Sequence, residues 1–272
     1  MSERSRAERV ASFFEGLWRD YVEITPSAEQ IRLLFATDNP SLANDHVAFR
    51  TFDREPIAIQ SLERPLLDLG YRRFEAYHFA DKKLDAWGYV PADPAEPRIF
   101  LSELRTPELG RESRAIIDRL VEQLEPAIVE SESVFRSGRP WAMPSWEDYC
   151  TLRTESEYAG WLSVFGLRAN HFTISVNSLR EPADLAGVVA RVEQAGHRMN
   201  AVGGVLKGSP QALLEQASTL ADRIVVRFGD GDPHEIASCY YEFAKRYPGP
   251  DGRLFQGFVA ASADRIFEST DV

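Results

Sequence analysis

The first forty residues carry a helical pattern of apolar positions. Apolar side chains recur every three or four residues near the N-terminus, which places them on one face of a helix. They are Val10, Phe13, Phe14, Leu17 and Trp18. Pro26 and Ser27 open a second apolar run, AEQIRLLFA, and proline favours the first turn of a helix. The sequence therefore predicts two helices within residues 1–40.

After residue 44 the pattern changes to that of strands. HVAFRTF reads as a strand, and IAIQSLERPLLDLG has the apolar spacing of a helix. Three further strand-like runs follow in YRRFEAYHF, LDAWGYV and PRIFLSEL. Residues 44–104 are therefore predicted to form a βαβββ module.

A similar order of elements returns in the second half of the chain. Residues 105–168 read as a mainly helical insertion, and a strand at NHFTISVN then leads into a helix at PADLAGVVARVEQAG. The loop GGVLKGSP, a short helix QALLEQAS and strands at ADRIVVRF and SCYYEFAKRY complete the segment 169–272. We therefore predict an α+β fold of paired βαβββ modules with added helices, forming one domain over residues 1–272.

The charge of the chain limits the kinds of molecule that it is expected to bind. The formal net charge of −11 argues against a nucleic-acid binder, which needs a strongly basic face. The chain has only four lysines, so nearly all its positive charge is guanidinium, which suits contacts with carboxylates. We expect the ligand to be a small anionic molecule.

The cysteines and the apolar runs indicate the compartment. Cys150 and Cys239 lie far apart without CxxC spacing, which predicts neither a disulfide framework nor a zinc ribbon. The N-terminal segment lacks the apolar core of a signal peptide, and no run approaches the roughly 20 apolar residues of a membrane span. We therefore expect a cytoplasmic protein with no membrane partner; its oligomeric state stays open.

Three residues suggest a metal site. His46 and Arg50 share one face of the first predicted strand, because side chains alternate along a strand. His171 lies on the first strand of the second module and Glu242 on its last strand. If the two modules face a shared cavity, two imidazoles and one carboxylate meet there, and this ligand set suits Fe(II) in oxygen chemistry. Polar neighbours on the predicted inward face support a cavity; they are Thr173, Ser175, Asn177 and Tyr240. Tyr240 is also a candidate for support of the metal ligands or for contact with substrate.

Other interpretations of these residues remain open. A buried histidine such as His46 is more often hydrogen-bonded in the core, and Arg50 would more often pair with a structural carboxylate. Glu242 could be a surface charge on an edge strand. Glu103 is the apparent counterpart of Glu242 in the first module, and it would be either a fourth metal ligand, as in a glyoxalase-like lyase or isomerase, or a supporting acceptor. A metal-free module that binds a small ligand is the remaining alternative.

The chain resembles the domain-of-unknown-function 1338 family, which is associated with 2-oxoadipate dioxygenase/decarboxylase activity and lysine catabolism. The resemblance is carried by HVAFRTF, ANHFTISVN, LKGSP, SCYYEFAKRYP and FQGFVAASADRIFEST, and it covers most of the chain. It implies that His46, His171 and Glu242 bind Fe(II), that Arg50 binds the substrate carboxylate in the catalytic site, and that Ser262 contacts substrate. The ligand order is also similar to that of 4-hydroxyphenylpyruvate dioxygenase, which implies a vicinal-oxygen-chelate fold.

The resemblance also implies a reaction. In this family a 2-oxo dicarboxylic acid is decarboxylated oxidatively at iron with O2, and the shortened acid is hydroxylated, so that 2-oxoadipate becomes 2-hydroxyglutarate and CO2. No external 2-oxoglutarate is needed. Substrate chain length and product stereochemistry are not determined by the sequence.

Several other polar residues have weaker signals. Lys207 and Ser209 in GGVLKGSP are candidates for contact with a substrate carboxylate, although the segment lacks the spacing of a phosphate loop. Gln256 is a candidate for substrate contact or for support of the metal ligands. The remaining histidines are expected at the surface or in loops; they are His78, His197 and His234. The loop GDGDPHE lacks the ligand spacing of an EF-hand and is expected to be a turn.

Overall fold

The computed structural model describes residues 5–270. Residues 1–4 and 271–272, which belong to the first and last predicted segments, lie outside the described residues. Helix α1 begins with a capping box, in which the Ser5 hydroxyl accepts from the Glu8 backbone and the Glu8 side chain accepts from the Ser5 backbone. Within residues 5–270, no helix combines the length and apolar character needed to cross a membrane.

The N-terminal helices and the first βαβββ module form as predicted. In chain order the elements are α1 (Arg6–Val22), α2 (Pro26–Ala36), β1 (Asn44–Phe52), α3 (Ile59–Asp68), β2 (Arg72–Phe79), β3 (Leu84–Val90) and β4 (Arg98–Leu104). The predicted insertion is helical, and the second module and a C-terminal helix follow it. These elements are α4 (Arg111–Val121), α5 (Trp146–Glu155), α6 (Glu157–Phe165), β5 (Ala169–Ser175), α7 (Leu185–Gln194), β6 (Lys207–Ser209), β7 (Leu214–Ser218), β8 (Arg223–Arg227), β9 (Pro233–Ala237), β10 (Tyr240–Arg246) and α8 (Ala260–Ile266).

Eight of the strands form one sheet in the order β2-β3-β4-β1-β5-β10-β7-β6. The antiparallel pair β1–β5 lies at the centre, and each half has the same pattern outward from it. β1 pairs in parallel with β4, β4 pairs antiparallel with β3, and β3 pairs antiparallel with β2. In the other half, β5 pairs in parallel with β10, β10 pairs antiparallel with β7, and β7 pairs antiparallel with β6. The two βαβββ modules are therefore related by an approximate twofold axis at the β1–β5 pair.

Two predictions for the second module were wrong. QALLEQAS is not a helix, since a short 3-10 turn at Pro210–Ala212 leads into strand β7. Pairing of β7 with β10 satisfies its backbone groups and overrides the helical propensity of this run. ADRIVVRF forms the predicted strand, β8, and within residues 5–270 this strand pairs with β9 in a separate two-stranded hairpin. The third strand of the module is instead β6, from a segment predicted to be a loop.

The two faces of the sheet have different roles. Helix α1 covers the outer face, where Trp18 and Tyr21 pack against Phe172 of β5 with ring centroids 5.2 and 5.0 Å apart. On the inner face, α8 and the segment after it lie over the centre of the sheet. His46 and His171 point to this inner face, because each is next in sequence to a residue of the outer face. The fold therefore directs both histidines towards the C-terminal segment.

Candidate metal centre

The side chains of His46, His171 and Glu242 meet on the inner face of the sheet. The Nε2 atom of His46 lies 3.6 Å from Glu242 Oε1, and Nε2 of His171 lies 3.2 Å from Glu242 Oε2. All three ligand atoms lie within 4.8 Å of one another, and all three residues are buried. Ligands about 2.1 Å from an ion and at right angles to one another lie about 3 Å apart, so the cluster has the dimensions of one face of an octahedral site.

Strand register produces this convergence. His46 of β1 pairs with Thr173 of β5, and Thr173 pairs with Glu242 of β10, so His46 and Glu242 flank Thr173 in one row. His171 lies in the adjacent row beside Tyr240. Thr173 Oγ1 lies 3.1 Å from His46 Nε2, within the same cluster.

Both histidines are oriented by the residue that precedes them. His46 Nδ1 lies 2.8 Å from Asp45 Oδ1, and His171 Nδ1 lies 3.1 Å from Asn170 Oδ1. Each Nδ1 therefore has an acceptor, so the Nε2 atoms are turned into the cluster, where the Thr173 hydroxyl contacts that of His46. The ladder between β1 and β5 changes register between Asn44 and His46, and this irregularity brings Asp45 beside the ring of His46.

Asp45 is itself held by a buried arginine. Arg246 donates from Nε and Nη2 to the two carboxylate oxygens of Asp45, both at 2.8 Å. The side chains of Asp45 and Arg246 are 2% and 1% exposed, so this pair is fully removed from water. The network Arg246–Asp45–His46 therefore fixes the imidazole in a single orientation.

The surroundings of the Glu242 carboxylate give the strongest indication that a cation binds at this site. Glu242 is fully buried, and its Oε1 accepts a hydrogen bond of 2.6 Å from Gln216 Nε2, whereas its Oε2 has no hydrogen-bond partner among residues 5–270. Burial raises the pKa of Glu242, against the attraction of His46 and the hydrogen bond from Gln216. A buried carboxylate oxygen without a donor is costly unless a positive charge occupies the space before it. A metal ion bound by the three residues fits that requirement.

His171 is in the form that binds metals. Burial, together with the charges of His46 and Arg50, holds the pKa of His171 well below its ordinary value. A neutral imidazole with its Nδ1–H already engaged is the species that binds a divalent ion. Glu242 then supplies the one negative charge of the three ligands.

Arg50 lies on the same face of β1 but already has a carboxylate partner. Its Nη1 donates to both oxygens of Glu157 at 3.1 and 3.2 Å, and its Nη2 donates to Thr270 Oγ1 at 3.1 Å. The guanidinium also lies over the rings of Tyr158 and Trp161, while Nε has no partner. The alternative of a structural carboxylate is therefore seen in this structure, and the role of Arg50 in substrate binding stays a prediction.

Glu103 is not part of this site. It pairs with Thr51 of β1 rather than with Arg50, so it faces the outer side of the sheet, and its Oε2 accepts from the Ile59 backbone at the start of α3. The prediction that Glu103 is the counterpart of Glu242 was wrong. In the parallel ladder β1–β4 the residue in the corresponding register is Phe100, which lines the metal cavity. The described part of the chain supplies no fourth histidine, cysteine or carboxylate to the cluster.

The C-terminal part of the second module provides support around the site. Lys207 is buried, its Nζ donates to the carbonyl oxygens of Asn200 and Gly204, and burial lowers its pKa to about 8. Ser209 Oγ accepts from the Ala212 backbone and caps the turn before β7. Ser262 is buried in α8. These contacts occupy Lys207 and Ser209 within the protein, and direct contact with a substrate stays a prediction for all three residues.

Other candidates lie further from the cluster. Gln256 Oε1 accepts from Arg98 at 2.7 and 3.1 Å, and Arg98 lies 3.7 Å from Asp45, so Gln256 reaches His46 only through two other side chains. Asn177 bonds to the backbone of Arg246 at the end of β10, and Ser175 lies at the end of β5. His78 pairs with Asp85 at the surface, His197 follows α7, and His234 stacks on Trp146.

Two cavities meet near the site. The first has a volume of about 20 Å³ and is lined by the metal-site residues, Gln216 and a ring of apolar side chains. These are Phe100, Phe258, Ala263, Ile266 and Phe267. The second has a volume of about 180 Å³, opens to the surface and contains Arg50, Glu157 and Lys82. Phe267 lines both cavities, and the neighbouring Glu268 pairs with Lys82, so the C-terminal segment separates the metal residues from the surface.

Sequence reasoning did not identify the residues that support the ligands. Gln216 lay in a run predicted to be helical, so its position opposite β10 was not foreseen. Asp45 and Asn170 carried a usable signal, since the chain has DH in NDHVAF and NH in ANHFTI at equivalent places of the two modules. The partner of Asp45, Arg246, is 201 residues away and carried no such signal.

Comparison with known proteins identifies relatives over nearly the whole chain. The family model described as 2-oxoadipate dioxygenase/decarboxylase matches residues 27–136 and 119–255. A chloroplastic/amyloplastic 2-oxoadipate dioxygenase/decarboxylase of Oryza sativa subsp. japonica is 35% identical, over 92% of this chain and 75% of that protein. The crystal structure of hydroxyglutarate synthase in complex with 2-oxoadipate from Oryza sativa is 32% identical, with a TM-score of 0.92 over 99% of this chain and 94% of that one.

A more distant structure bears on the fold alone. A protein of Ralstonia eutropha JMP134 named for the glyoxalase superfamily is 20% identical, with a TM-score of 0.78 over 94% of this chain and 87% of that chain. This likeness and the paired modules confirm the α+β, vicinal-oxygen-chelate-like fold. The family model and the rice relative together show that the chain belongs to the 2-oxoadipate dioxygenase/decarboxylase family.

Proposed function

We propose that this protein is an Fe(II)-dependent enzyme that converts 2-oxoadipate and O2 to 2-hydroxyglutarate and CO2. The observation that carries the proposal is the unpartnered Oε2 of Glu242, buried beside two imidazoles whose Nε2 atoms face the same point. The atoms balance, since CO2 leaves with the two original carboxyl oxygens, one oxygen atom of O2 completes the new carboxylate at the former keto carbon, and the other oxygen atom becomes the new hydroxyl. No further reductant or co-substrate is required.

Iron suits the ligand set. His46, His171 and Glu242 would hold the ion on one face and leave adjacent positions open, as in non-haem Fe(II) oxygenases. When bound, the metal would bind the 2-oxo acid and activate O2. Because one histidine comes from each module, we also propose that the two modules act as one catalytic domain.

The protein side chains prepare the site for this chemistry. Asp45 and Asn170 contact Nδ1 of the two imidazoles and turn their Nε2 atoms towards the site, and Gln216 holds one oxygen of Glu242 in place. We propose that Arg50 contributes to binding of the substrate carboxylate that lies away from the metal, through the Nε–H that has no partner within residues 5–270. Ser262 of α8, the helix that covers the inner face, is the further proposed substrate contact.

The cavity also limits access of water. Its volume of about 20 Å³ accommodates little more than a water molecule and is smaller than any 2-oxo dicarboxylic acid. Substrate binding therefore requires movement of the aromatic side chains or of the C-terminal segment that carries Phe258 and Phe267. Their return over the bound acid would exclude water from the reaction.

We place the enzyme in the cytoplasm. Cys150 and Cys239 are both free thiols, and reduced cysteines are the usual state in a reducing compartment. The plant relative carries a plastid designation, which describes that protein.

The decisive experiment is anaerobic reconstitution with Fe(II), followed by oxygen-electrode assays with a series of 2-oxo acids. We expect uptake of O2 that depends on 2-oxoadipate, with equal amounts of CO2 and 2-hydroxyglutarate. The Glu242→Gln variant serves as the control, because it keeps the shape of the side chain and loses the charge that binds the metal. Bound metal without O2 uptake would favour a glyoxalase-like enzyme, and failure to bind any metal would favour a binding module.

A further inference from the structure

Within residues 5–270, three buried hydrogen-bond donors near the site have no partner: Nδ2 of Asn170, the hydroxyl of Tyr240 and the Nε–H of Arg50. Asn170 is held by its contact with His171, so Tyr240 and Arg50 are the two donors considered as ligand contacts. Tyr240 is 0% exposed and Arg50 is 2% exposed, so neither donor reaches solvent in this structure. A buried donor without an acceptor costs free energy, and its presence at a binding site points to an acceptor brought by a ligand.

Strand geometry places Tyr240 beside the metal ligands and on the way to Arg50. Tyr240 is two residues before Glu242 on β10 and therefore shares its face, and its ring stacks on His171 with centroids 4.7 Å apart. Tyr240, His171 and Ala48 form one row across β10, β5 and β1. Arg50 is the next residue of that face of β1, one step beyond Ala48.

The charges around Tyr240 agree with this placement. Burial raises the pKa of Tyr240 well above its ordinary value, the charges of Glu242 and Glu157 raise it further, and Arg50 lowers it. The hydroxyl therefore lies within the electrostatic reach of both the metal ligands and the Arg50–Glu157 pair.

The arginine already has fixed partners on its other side. Glu157 and Thr270 accept from its two Nη groups, so these contacts hold the guanidinium while Nε–H remains free. A carboxylate that accepts from both Nε of Arg50 and the Tyr240 hydroxyl would satisfy the two unpartnered donors together.

We propose that Tyr240 is a substrate-positioning residue whose hydroxyl, together with Nε–H of Arg50, binds the carboxylate of the substrate remote from the metal. This proposal rests on the proposed function, and it adds a second, uncharged donor to the recognition of a dicarboxylic acid. Tyr240 thereby contributes to the choice between a 2-oxo dicarboxylic acid and a 2-oxo monocarboxylic acid. The stacked ring keeps the hydroxyl in place by its contact with His171.

The test uses Tyr240→Phe, which removes the hydroxyl and keeps the ring. The matched control is Tyr241→Phe, because Tyr241 is equally buried but lies on the outer face of β10 against Trp18 and Tyr21. Dissociation constants of 2-oxoadipate and of 2-oxohexanoate, which lacks the second carboxylate, are measured by calorimetry on anaerobic Fe(II)-loaded protein. Metal content and thermal stability without substrate are measured on the same preparations.

We expect Tyr240→Phe to raise the Kd of 2-oxoadipate about 10- to 100-fold, the range for a hydrogen bond to a charged group. The Kd of 2-oxohexanoate and the metal content should stay at the parent values, and Tyr241→Phe should leave both dissociation constants unchanged. Stability without substrate should be equal or higher in Tyr240→Phe, since a buried donor without a partner has been removed. If Tyr240 were only structural, its replacement would instead lower the thermal stability and raise the Kd of both acids to the same extent.

The outcomes separate this proposal from the proposed function. Unchanged 2-oxoadipate affinity in Tyr240→Phe, or equal weakening of both acids, would overturn the role of Tyr240 even if the parent enzyme consumes O2. The expected binding pattern without O2 uptake would refute the proposed reaction and leave the carboxylate site intact. Absence of 2-oxoadipate binding by the parent protein would refute both.

Discussion

Replacement of Asp45 by asparagine tests whether the buried network behind His46 sustains the metal site. The substitution keeps the shape of the side chain and an oxygen that can accept from His46 Nδ1. It removes the charge that Arg246 contacts through two hydrogen bonds of 2.8 Å. Breaking a buried ion pair by removing one partner typically costs about 3–5 kcal/mol. Arg246 keeps hydrogen bonds to the carbonyl oxygens of Phe255 and Gly257, so we expect a loss near the lower end, about 3 kcal/mol.

The assay is thermal unfolding of the metal-free protein, followed by metal affinity in a competition titration. A loss of about 3 kcal/mol corresponds to a decrease in Tm of about 6–12 °C for a chain of this size. Metal affinity should fall about 10- to 100-fold, because the asparagine orients the imidazole less firmly than the carboxylate does. Asp20→Asn is the matched control, since Asp20 pairs with Arg136 in the same two-bond geometry at the surface. Exposed pairs contribute about 0–1 kcal/mol.

The effect of Asp45→Asn should also depend on pH in a defined direction. Burial opposes ionisation of Asp45, but attraction to Arg246 and hydrogen bonds from His46 and Arg246 hold its pKa well below the ordinary value. A carboxyl whose pKa is depressed on folding stabilises the protein above its unfolded pKa of about 3.9, and this stabilisation is lost as the pH falls through the folded pKa. The difference between the parent and Asp45→Asn should therefore be constant from about pH 5 to 7 and shrink below about pH 4. Equal losses in Asp45→Asn and Asp20→Asn, or undiminished metal affinity, would refute the reasoning.

Three further predictions concern the ligands and their neighbours. His46→Ala, His171→Ala and Glu242→Ala should each lose bound metal with unchanged far-UV circular dichroism, and a variant that retained full metal content would show that its residue is not a ligand. Arg50→Lys should keep the metal but raise KM for 2-oxoadipate at least about tenfold, because an ammonium group does not reproduce the planar guanidinium. If the parent enzyme had equal kcat/KM for 2-oxoadipate and 2-oxohexanoate, Arg50 would not be part of the substrate site. Glu103→Gln should keep metal and turnover at the parent level, since Glu103 faces the other side of the sheet; loss of metal would contradict that placement.

Strand alternation and the repeated order of elements predicted the paired modules and, on the condition that the modules share a cavity, the meeting of His46, His171 and Glu242. The family resemblance then favoured metal binding over a packed core. These signals are local, because a two-residue period decides which face a side chain takes. QALLEQAS misled the prediction because its local propensity is helical, and only pairing with β10 makes it a strand.

The sequence did not allow the interaction partners of the site residues to be predicted, because these partners lie far away along the chain. Glu157, which pairs with Arg50, is 107 residues away in the helical insertion, and Thr270 is 220 residues away. The sequence shows that a buried arginine needs an acceptor but not which of 42 acidic residues provides it. Likewise, the assignment of Glu103 as counterpart of Glu242 failed because alignment by order along the chain ignored the register of the β1–β4 ladder.

Phe100 occupies the register position that corresponds to Glu242, so the two modules differ at this place of the site. The second module contributes a carboxylate where the first contributes an aromatic side chain. The three candidate ligands therefore come from β1, β5 and β10, while Phe100 and Phe258 line the cavity without offering a ligand. An ion held by His46, His171 and Glu242 would have its remaining neighbours on the side of these aromatic rings. A small molecule would therefore reach it from that side, which gives a near-symmetric scaffold a directional site.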